Sequence, residues 1–480
     1  MRIDPNPPQA IRQLRNRLPT DDLEVSLDDR NVWGLAFINT VVSSEQFYNE
    51  ITAALPQLNS KSGRAWKTVF PRAKAIASVE EAVADLLLGY VVLVHEDWES
   101  AVSIPLWNTK TRAIETPKYE KVIIGPQESF NEDLETNIGL MRRWIRDSEL
   151  SIRYYEVGRR SKSKVALCYI RDITKPEWVD EIDTTIRNLD VDLITGHTDL
   201  MDLLIQPNQS VFPLYQLTEL PARVQVEMNS GRVVLFADGS PYGIMLPSPV
   251  IGLMRESEYL LQSSFVHLFA RTLRFIAGFL SMYSAAIYLA LVSVNTSILP
   301  TEISISVSAD QQALPYSTFL EVMIMLLVLD IFIEATTFVP GSIGPALNIV
   351  GSLIIGQAAT QAGLVSSLMV IITAITAVGT YLSSLQLAYA IRIWKYAFVL
   401  AAGLFGLFGI ICCMAIQLGH LTGLRTLGLP YLQPMTPLKW KQLLSGLFDI
   451  PANKKFRRGT LLQPQDKVSM RRKPNDEQGR

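Results

Sequence analysis

FIAGFLSMYSAAIYLALVSV, residues 275–294, runs for twenty residues without a charge. It opens a window from Phe275 to Ile391 that holds neither lysine nor arginine; its only charges are Glu302, Asp310, Glu321, Asp330 and Glu334. The flanks differ sharply. Residues 1–274 carry 30 basic and 37 acidic side chains, net −7; residues 275–424 carry 2 and 5, net −3; residues 425–480 carry 12 and 4, net +8. The whole-chain values, 19% charged and net −2, hide this switch. It divides a soluble front half from a membrane part. A charge near the bilayer centre costs about 3 kcal/mol or more, so acids kept there face water, protein or a permeating cation.

Working forward from the window, Leu260–Phe275 reads as an amphipathic approach helix, with Arg271 and Arg274 at its membrane edge. Ile276–Val294 is long enough to cross about 30 Å of hydrocarbon. A polar loop with Asp310 then ends at Pro315, and Phe319–Phe338 is the next span. Pro340, Gly341, Gly344 and Pro345 break the chain before a short apolar segment, Ala346–Thr360. Leu364–Ser384 and Phe398–Leu418 complete the set. Gly403, Gly406 and Gly409 lie three apart on the last, a small-residue seam for helix packing. Gly351 and Gly356 suggest the same in the short segment.

Parity chooses among these segments. Met1–Leu18 carries four arginines and no apolar core, so no signal peptide is read and the front half is expected in the cytosol. The basic run after the last span places the tail there too. Both ends on one side need an even number of crossings. Ala346–Thr360 is then re-entrant or buried, giving four spans over five, at the cost of placing Arg392 and Lys395 outside. The basic tail lacks aromatic interleaving and reads as disordered chain held to anionic lipid rather than to nucleic acid.

Working backward, the front half alternates strand-like and helix-like runs. Strands are expected at Val32–Val42, Tyr90–Glu96, Ala101–Trp107, Ile152–Val157 and Lys164–Asp172. Helices are expected at Ser44–Leu55, Val79–Leu88, Asn131–Glu149 and Glu177–Leu189. Asp238-Gly239-Ser240-Pro241 marks a hairpin within Arg232–Leu246. The fold class is therefore two small α/β domains, 1–120 and 121–255, then an all-α polytopic membrane bundle, 256–424, and a basic tail, 425–480.

Four stretches, in order, resemble the GerA family of spore germination proteins. They are GPQESF at 125–130 with Asn137, Leu140 and Arg142; LPTEISISVSAD at 299–310 with Pro315 and Glu321; GPALNIVGSLIIGQAATQAGLVSS at 344–367; and HLTGLRTLGLPYLQP at 420–434. The resemblance covers about 120–435 closely and the first 120 residues by architecture. This chain departs from the family where Glu219-Leu220-Pro221-Ala222 replaces Glu-Arg-Pro-Asp, and where Leu326 and Ile333 stand for a Glu and an Arg. Tyr259 stands where a tyrosine pair is usual.

The resemblance implies a non-enzymatic A subunit of a nutrient receptor in the spore inner membrane. It implies partners: a transporter-like B subunit, a lipoprotein C subunit, membrane lipid and further copies of itself. It also implies a ligand-gated cation channel. The close alternative is a stage V sporulation paralogue that amplifies germination, and a third reading is a non-conducting scaffold that clusters receptors.

The residues supply candidates for such a path. Ser366, Thr373, Thr376, Thr380 and Ser384 fall within about 100° of one another on a helix. Oxygen dipoles without fixed positive charge suit a hydrated cation; the alternative is helix packing, each hydroxyl bonded to its own backbone four residues back. Asp330 and Glu334 share a face one turn apart, as an acidic selectivity ring or as an interfacial pair. Glu321 is about half a turn away and points elsewhere. His95, His197, His267 and His420 are scattered, Cys168, Cys412 and Cys413 make no framework, and no metal, cofactor or catalytic signature is read.

Overall fold

A computed structural model describes residues 1–52, 54, 66–67, 70–107, 117, 120, 125–205, 210–253, 264–312, 314–337, 351, 354, 356–382, 385–436, 438, 458–459 and 461–469. The chain divides into two compact units. One comprises Met1–Gln206, Leu217–Pro247 and Ala452–Arg480; the other comprises Pro207–Gln216 and Ser248–Pro451.

The first unit is α/β and builds one architecture twice. Helix α1 (Pro7–Arg17) precedes strands β1 (Leu23–Leu27) and β2 (Trp33–Ile38). After a short helical turn over 44–52 come β3 (Lys74–Ile76), α2 (Val79–Leu87), β4 (Tyr90–His95) and β5 (Ala101–Pro105). The sheet order is β1-β2-β4-β5-β3. One face is covered by Ile11, Leu14, Val83 and Leu86, the other by Trp66, Phe70 and Trp98. Burial on both faces explains why β2 (WGLAFI) and β4 (YVVLVH) are nearly continuous apolar runs. Helix α2 starts at an N-cap, where the Ser78 hydroxyl accepts from the Glu81 N–H at 3.1 Å. It stops at Gly89, whose φ of +84° suits glycine at that position.

The second half repeats this plan. Helix α3 (Leu134–Trp144) precedes β6 (Leu150–Val157) and β7 (Ser163–Ile170). Helices α4 (Pro176–Arg187) and α5 (His197–Leu204) lead to β8 (Gln216–Thr218), α6 (Pro221–Asn229), β9 (Val233–Ala237) and β10 (Gly243–Leu246). The order is β6-β7-β9-β10-β8, so both sheets place their strands first, second, fourth, fifth, third. In each, a helix precedes the first strand and another precedes the fourth. The β9–β10 hairpin pairs Leu235 with Ile244 and turns through Gly239 at φ +77°.

A buried ion pair joins the two halves. Arg142 of α3 donates Nε to Asp22 Oδ2 at 2.8 Å and Nη2 to Asp22 Oδ1 at 2.7 Å, with both side chains fully buried. Nη1 donates to the Leu150 carbonyl, so the guanidinium is satisfied on three sides. Gly139 meets the Thr40 carbonyl so closely that a Cβ there would lie 2.6 Å from the oxygen.

Short stretches of 425–480 are among the described residues. Arg425–Thr426 pairs with Leu429–Pro430. Gln465 and Asp466 donate their N–H groups to the Ile173 and Asp172 carbonyls, and Arg458 Nε donates to the Asn229 carbonyl. The bonds from Arg458, Gln465 and Asp466 lie within the first unit.

The second unit is helical: α7 (Ser264–Leu289), α8 (Thr301–Gln312), α9 (Thr318–Thr337), α10 (Ser367–Leu382) and α11 (Leu385–Gly423). The approach helix and first span are one continuous helix, prolonged by a π-helical turn over Ala290–Val294. The expected polar loop is instead α8, which follows Pro300 and contains neither proline nor glycine. The last span begins at Leu385 rather than Phe398 and breaks at Gly406, with φ +60° and ψ −140°. Two described runs, Leu268–Val294 and Gln386–Gly423, are long and apolar enough to cross a membrane. Helix α10, at 16 residues, extends about 24 Å and is short for a span. Most of Ala346–Thr360 lies outside the described residues.

Candidate functional site

Helix α10 presents its hydroxyls to α7. Ser366, Thr373, Thr376 and Thr380 are all buried, none more than 5% exposed. Thr373 donates to the Met369 carbonyl at 2.8 Å, Thr376 to Ile372 at 2.8 Å and Thr380 to Thr376 at 2.9 Å. The facing helix adds oxygens of its own. Ser281 Oγ donates to the Thr376 carbonyl at 3.0 Å and lies 2.8 Å from Thr380 Oγ1. Ser284 Oγ lies 3.2 Å from Thr376 Oγ1, and Tyr288 Oη lies 2.9 Å from Ser366 Oγ. Gly379 permits this approach, since a Cβ there would overlap the Ala277 carbonyl and lie 2.8 Å from Ser281 Cβ. The stripe is thus one wall of a closed polar seam. Ser384 lies outside the described residues.

The seam ends at a carboxylate. Glu321 of α9 is fully buried, and its Oε1 accepts from both the N–H and the hydroxyl of Ser366, each at 2.7 Å. Ser366 also caps α10, its Oγ accepting from Met369 N–H at 3.2 Å. Sequence reasoning set Glu321 aside because it faces away from Asp330. That direction is what brings it to the α10 N-terminus.

Asp330 and Glu334 meet cations from α11 and do not form a free acidic face within one chain. Lys395 Nζ lies 3.1 Å from each Asp330 carboxylate oxygen, and Tyr396 Oη donates to Asp330 Oδ2 at 2.5 Å. Arg392 lies 3.4 Å from Asp330 Oδ1 and 3.1 Å from Glu334 Oε2. Lys395 is 1% exposed beside Asp330, and one acid and one base desolvated together cost less than either alone. The signal was present in the spacing, because Arg392, Lys395 and Tyr396 lie three and four apart, as a helix face opposite Asp330 and Glu334 requires.

The glycines divide. Gly351 faces the Phe332 ring, and a Cβ at Gly356 would lie 2.9 Å from Val370 Cγ1. Gly403 faces Phe319, with 2.7 Å from an added Cβ to Cδ2. Gly406 and Gly409 do not continue that seam. Gly406 is the break, where Asn295 Oδ1 accepts from Leu407 N–H at 2.9 Å, and Gly409 packs on the Ala401 carbonyl across it. A positive φ is accessible to glycine at little cost, so the spacing of three carried a break rather than a stripe.

Among the described residues no three His, Cys, Asp or Glu side chains converge as a metal site.

Comparison with known proteins gives a consistent picture. The family model described as Bacillus/Clostridium GerA spore germination protein matches residues 13–461. Spore germination protein GerLA of Bacillus cereus is 31% identical over 401 residues, 83% of this chain and 80% of that protein. Spore germination protein KA of Bacillus subtilis is 27% identical over 443 residues, 92% and 80% respectively. Among solved structures, the N-terminal domain of the A subunit of the Bacillus megaterium spore germinant receptor GerK3 is 18% identical, covers 55% of this chain and 99% of its own, and gives a TM-score of 0.38.

Proposed function

The chain belongs to the GerA family of spore germination proteins, and from that premise we propose that it is the A subunit of a germinant receptor and forms its nutrient-gated cation channel. Its role lies in spore germination. In this reading it assembles as a homo-oligomer in the inner membrane of the spore, with a transporter-like B subunit and a lipoprotein C subunit. The α/β unit and the tail are cytosolic, and α7, α9, α10 and α11 cross the membrane.

The observation that carries the channel is the seam: a line of buried oxygens from Glu321 to Thr380, in a helical region where no lysine or arginine occurs between Phe275 and Ile391. Such a line offers a cation partial charges in place of water and no fixed repulsion. Ser366, Thr373, Thr376, Thr380 and Ser384 border the path, which opens when α7 parts from α10. Asp330 and Glu334, held by Lys395 and Arg392, set the charge near it. Cation flux through liposomes containing the purified chain tests the reading.

A second reading has its own support. The bonds of Thr373, Thr376 and Thr380 to carbonyls four residues back are those of hydroxyls used for helix packing. A scaffold that clusters receptor subunits needs no more, and it conducts nothing. A stage V sporulation paralogue would amplify germination without sensing nutrient.

A further inference from the structure

We infer that Glu321 is a binding site for a monovalent cation, with Tyr288 completing it. The inference begins with charge balance. Helix α9 carries three acids, and two of them have cationic partners on α11. Glu321, the most buried of the three, has none among the described residues, and the chain offers no lysine or arginine from Phe275 to Ile391. The α10 N-terminus supplies only about half a positive charge. The rest of the carboxylate charge is left in a buried setting, where an uncompensated charge is strongly unfavourable.

The oxygens are arranged unequally. Oε1 takes both donors from Ser366, whereas Oε2 is buried with no hydrogen-bond partner. Because the Ser366 hydroxyl donates to Glu321, Tyr288 must donate to Ser366, and its own oxygen, beside the Gln311 side chain, is left as an acceptor. One carboxylate with a neutral hydroxyl oxygen is a weak, singly charged donor set. A divalent ion such as Ca²⁺ needs more oxygens and commonly several carboxylates. The chemistry therefore selects an alkali-metal ion.

This deepens the channel reading, on which it draws for the kind of ion. The test reads equilibrium binding rather than flux, so the two can fail separately. Purified full-length chain in detergent is titrated with ⁸⁶Rb⁺, and its thermal unfolding is followed as Rb⁺ replaces choline at constant ionic strength. The wild-type chain is expected to bind Rb⁺ saturably and to unfold at higher temperature with it, as a ligand specific to the folded state requires. Glu321→Gln is expected to weaken binding about tenfold or more, since charge-assisted contacts are roughly twice as strong as neutral ones. In choline, Glu321→Gln should be at least as stable as the wild type. Tyr288→Phe keeps the charge and should weaken binding by a smaller factor. A wild-type midpoint equal in Rb⁺ and choline overturns the site, and this arm needs no variant to fold. Unchanged Rb⁺ binding by folded Glu321→Gln overturns it too. A chain that binds Rb⁺ and passes no current would overturn the channel and leave the site standing.

Discussion

Lys395 on α11 reaches Asp330 on α9 with Nζ equidistant, 3.1 Å, from the two carboxylate oxygens, and the pair is almost wholly buried. Removing one member leaves the other charged and desolvated. Lys395→Met should destabilise the helical unit by about 3 kcal/mol, the lower end of the range for breaking a buried pair, because Arg392 still reaches Asp330. The double change Asp330→Asn with Lys395→Met should recover most of that loss. Thermal unfolding of both in detergent decides it; additive losses would mean that the two residues act independently.

Much of the α/β front was legible because its signals are local. The hairpin at Arg232–Leu246 follows from a Gly-containing turn between apolar runs, and β4 from an unbroken apolar run. The repeated strand order was not legible, since β3 and β8 are three residues each and carry no pattern. In the helical unit, composition located α9 and α10 to within a few residues. It missed the break at Gly406, which depends on Asn295 more than a hundred residues away. It also missed the Asp330–Lys395 pair, because the partners are distant in sequence and only tertiary packing brings them together.

The contact between α7 and α10 has no room at Gly379. Gly379→Ala should cost about 1–3 kcal/mol through overpacking against the Ala277 carbonyl and Ser281. Gly419, with nothing within 4 Å of an added Cβ, is the control. Gly419→Ala should be neutral or stabilise by up to about 1 kcal/mol. Equal effects at both positions would remove the close approach of the two helices from the account.

Stability of the α/β unit should fall with acidification in two windows. Burial pushes His197 below its ordinary value, and His95 likewise, so the folded chain binds these protons less readily than the unfolded one. The unfolded chain takes up those protons as pH falls through about 6.5, which favours unfolding. Lower down, the hydrogen bond from Arg187, aided by Tyr155 and Arg153, holds Asp183 below the usual carboxylate range. The stability it contributes is present above the unfolded value and lost as pH falls through the folded one. Residues 1–255 should fold alone and show both losses in urea unfolding. Asp183→Asn should shrink the acid component and His197→Gln should shrink the upper one. A profile that rises on acidification would contradict the assigned signs.

Side-specific labelling checks the topology. With Cys168, Cys412 and Cys413 changed to Ser, an Asp310→Cys label on exposed α8 should react from outside intact vesicles. Ser210→Cys and Lys454→Cys should react only after permeabilisation. Outside reaction at Lys454→Cys would mean an odd number of crossings and would return Ala346–Thr360 to the list of spans.

The central claim is conduction along the seam, and Thr373 is its most direct probe. The measurement is cation flux from liposomes holding equal amounts of purified chain. The wild type should release K⁺ above protein-free vesicles. Thr373→Phe should reduce that release, Thr373→Ala should leak, and Thr373→Lys should block it by repelling cations. The same changes at Ile372, about 100° around the helix, should show no such order. Flux from the wild type no greater than from protein-free vesicles, or flux equal across the Thr373 series, would contradict the account and leave the stripe as helix packing.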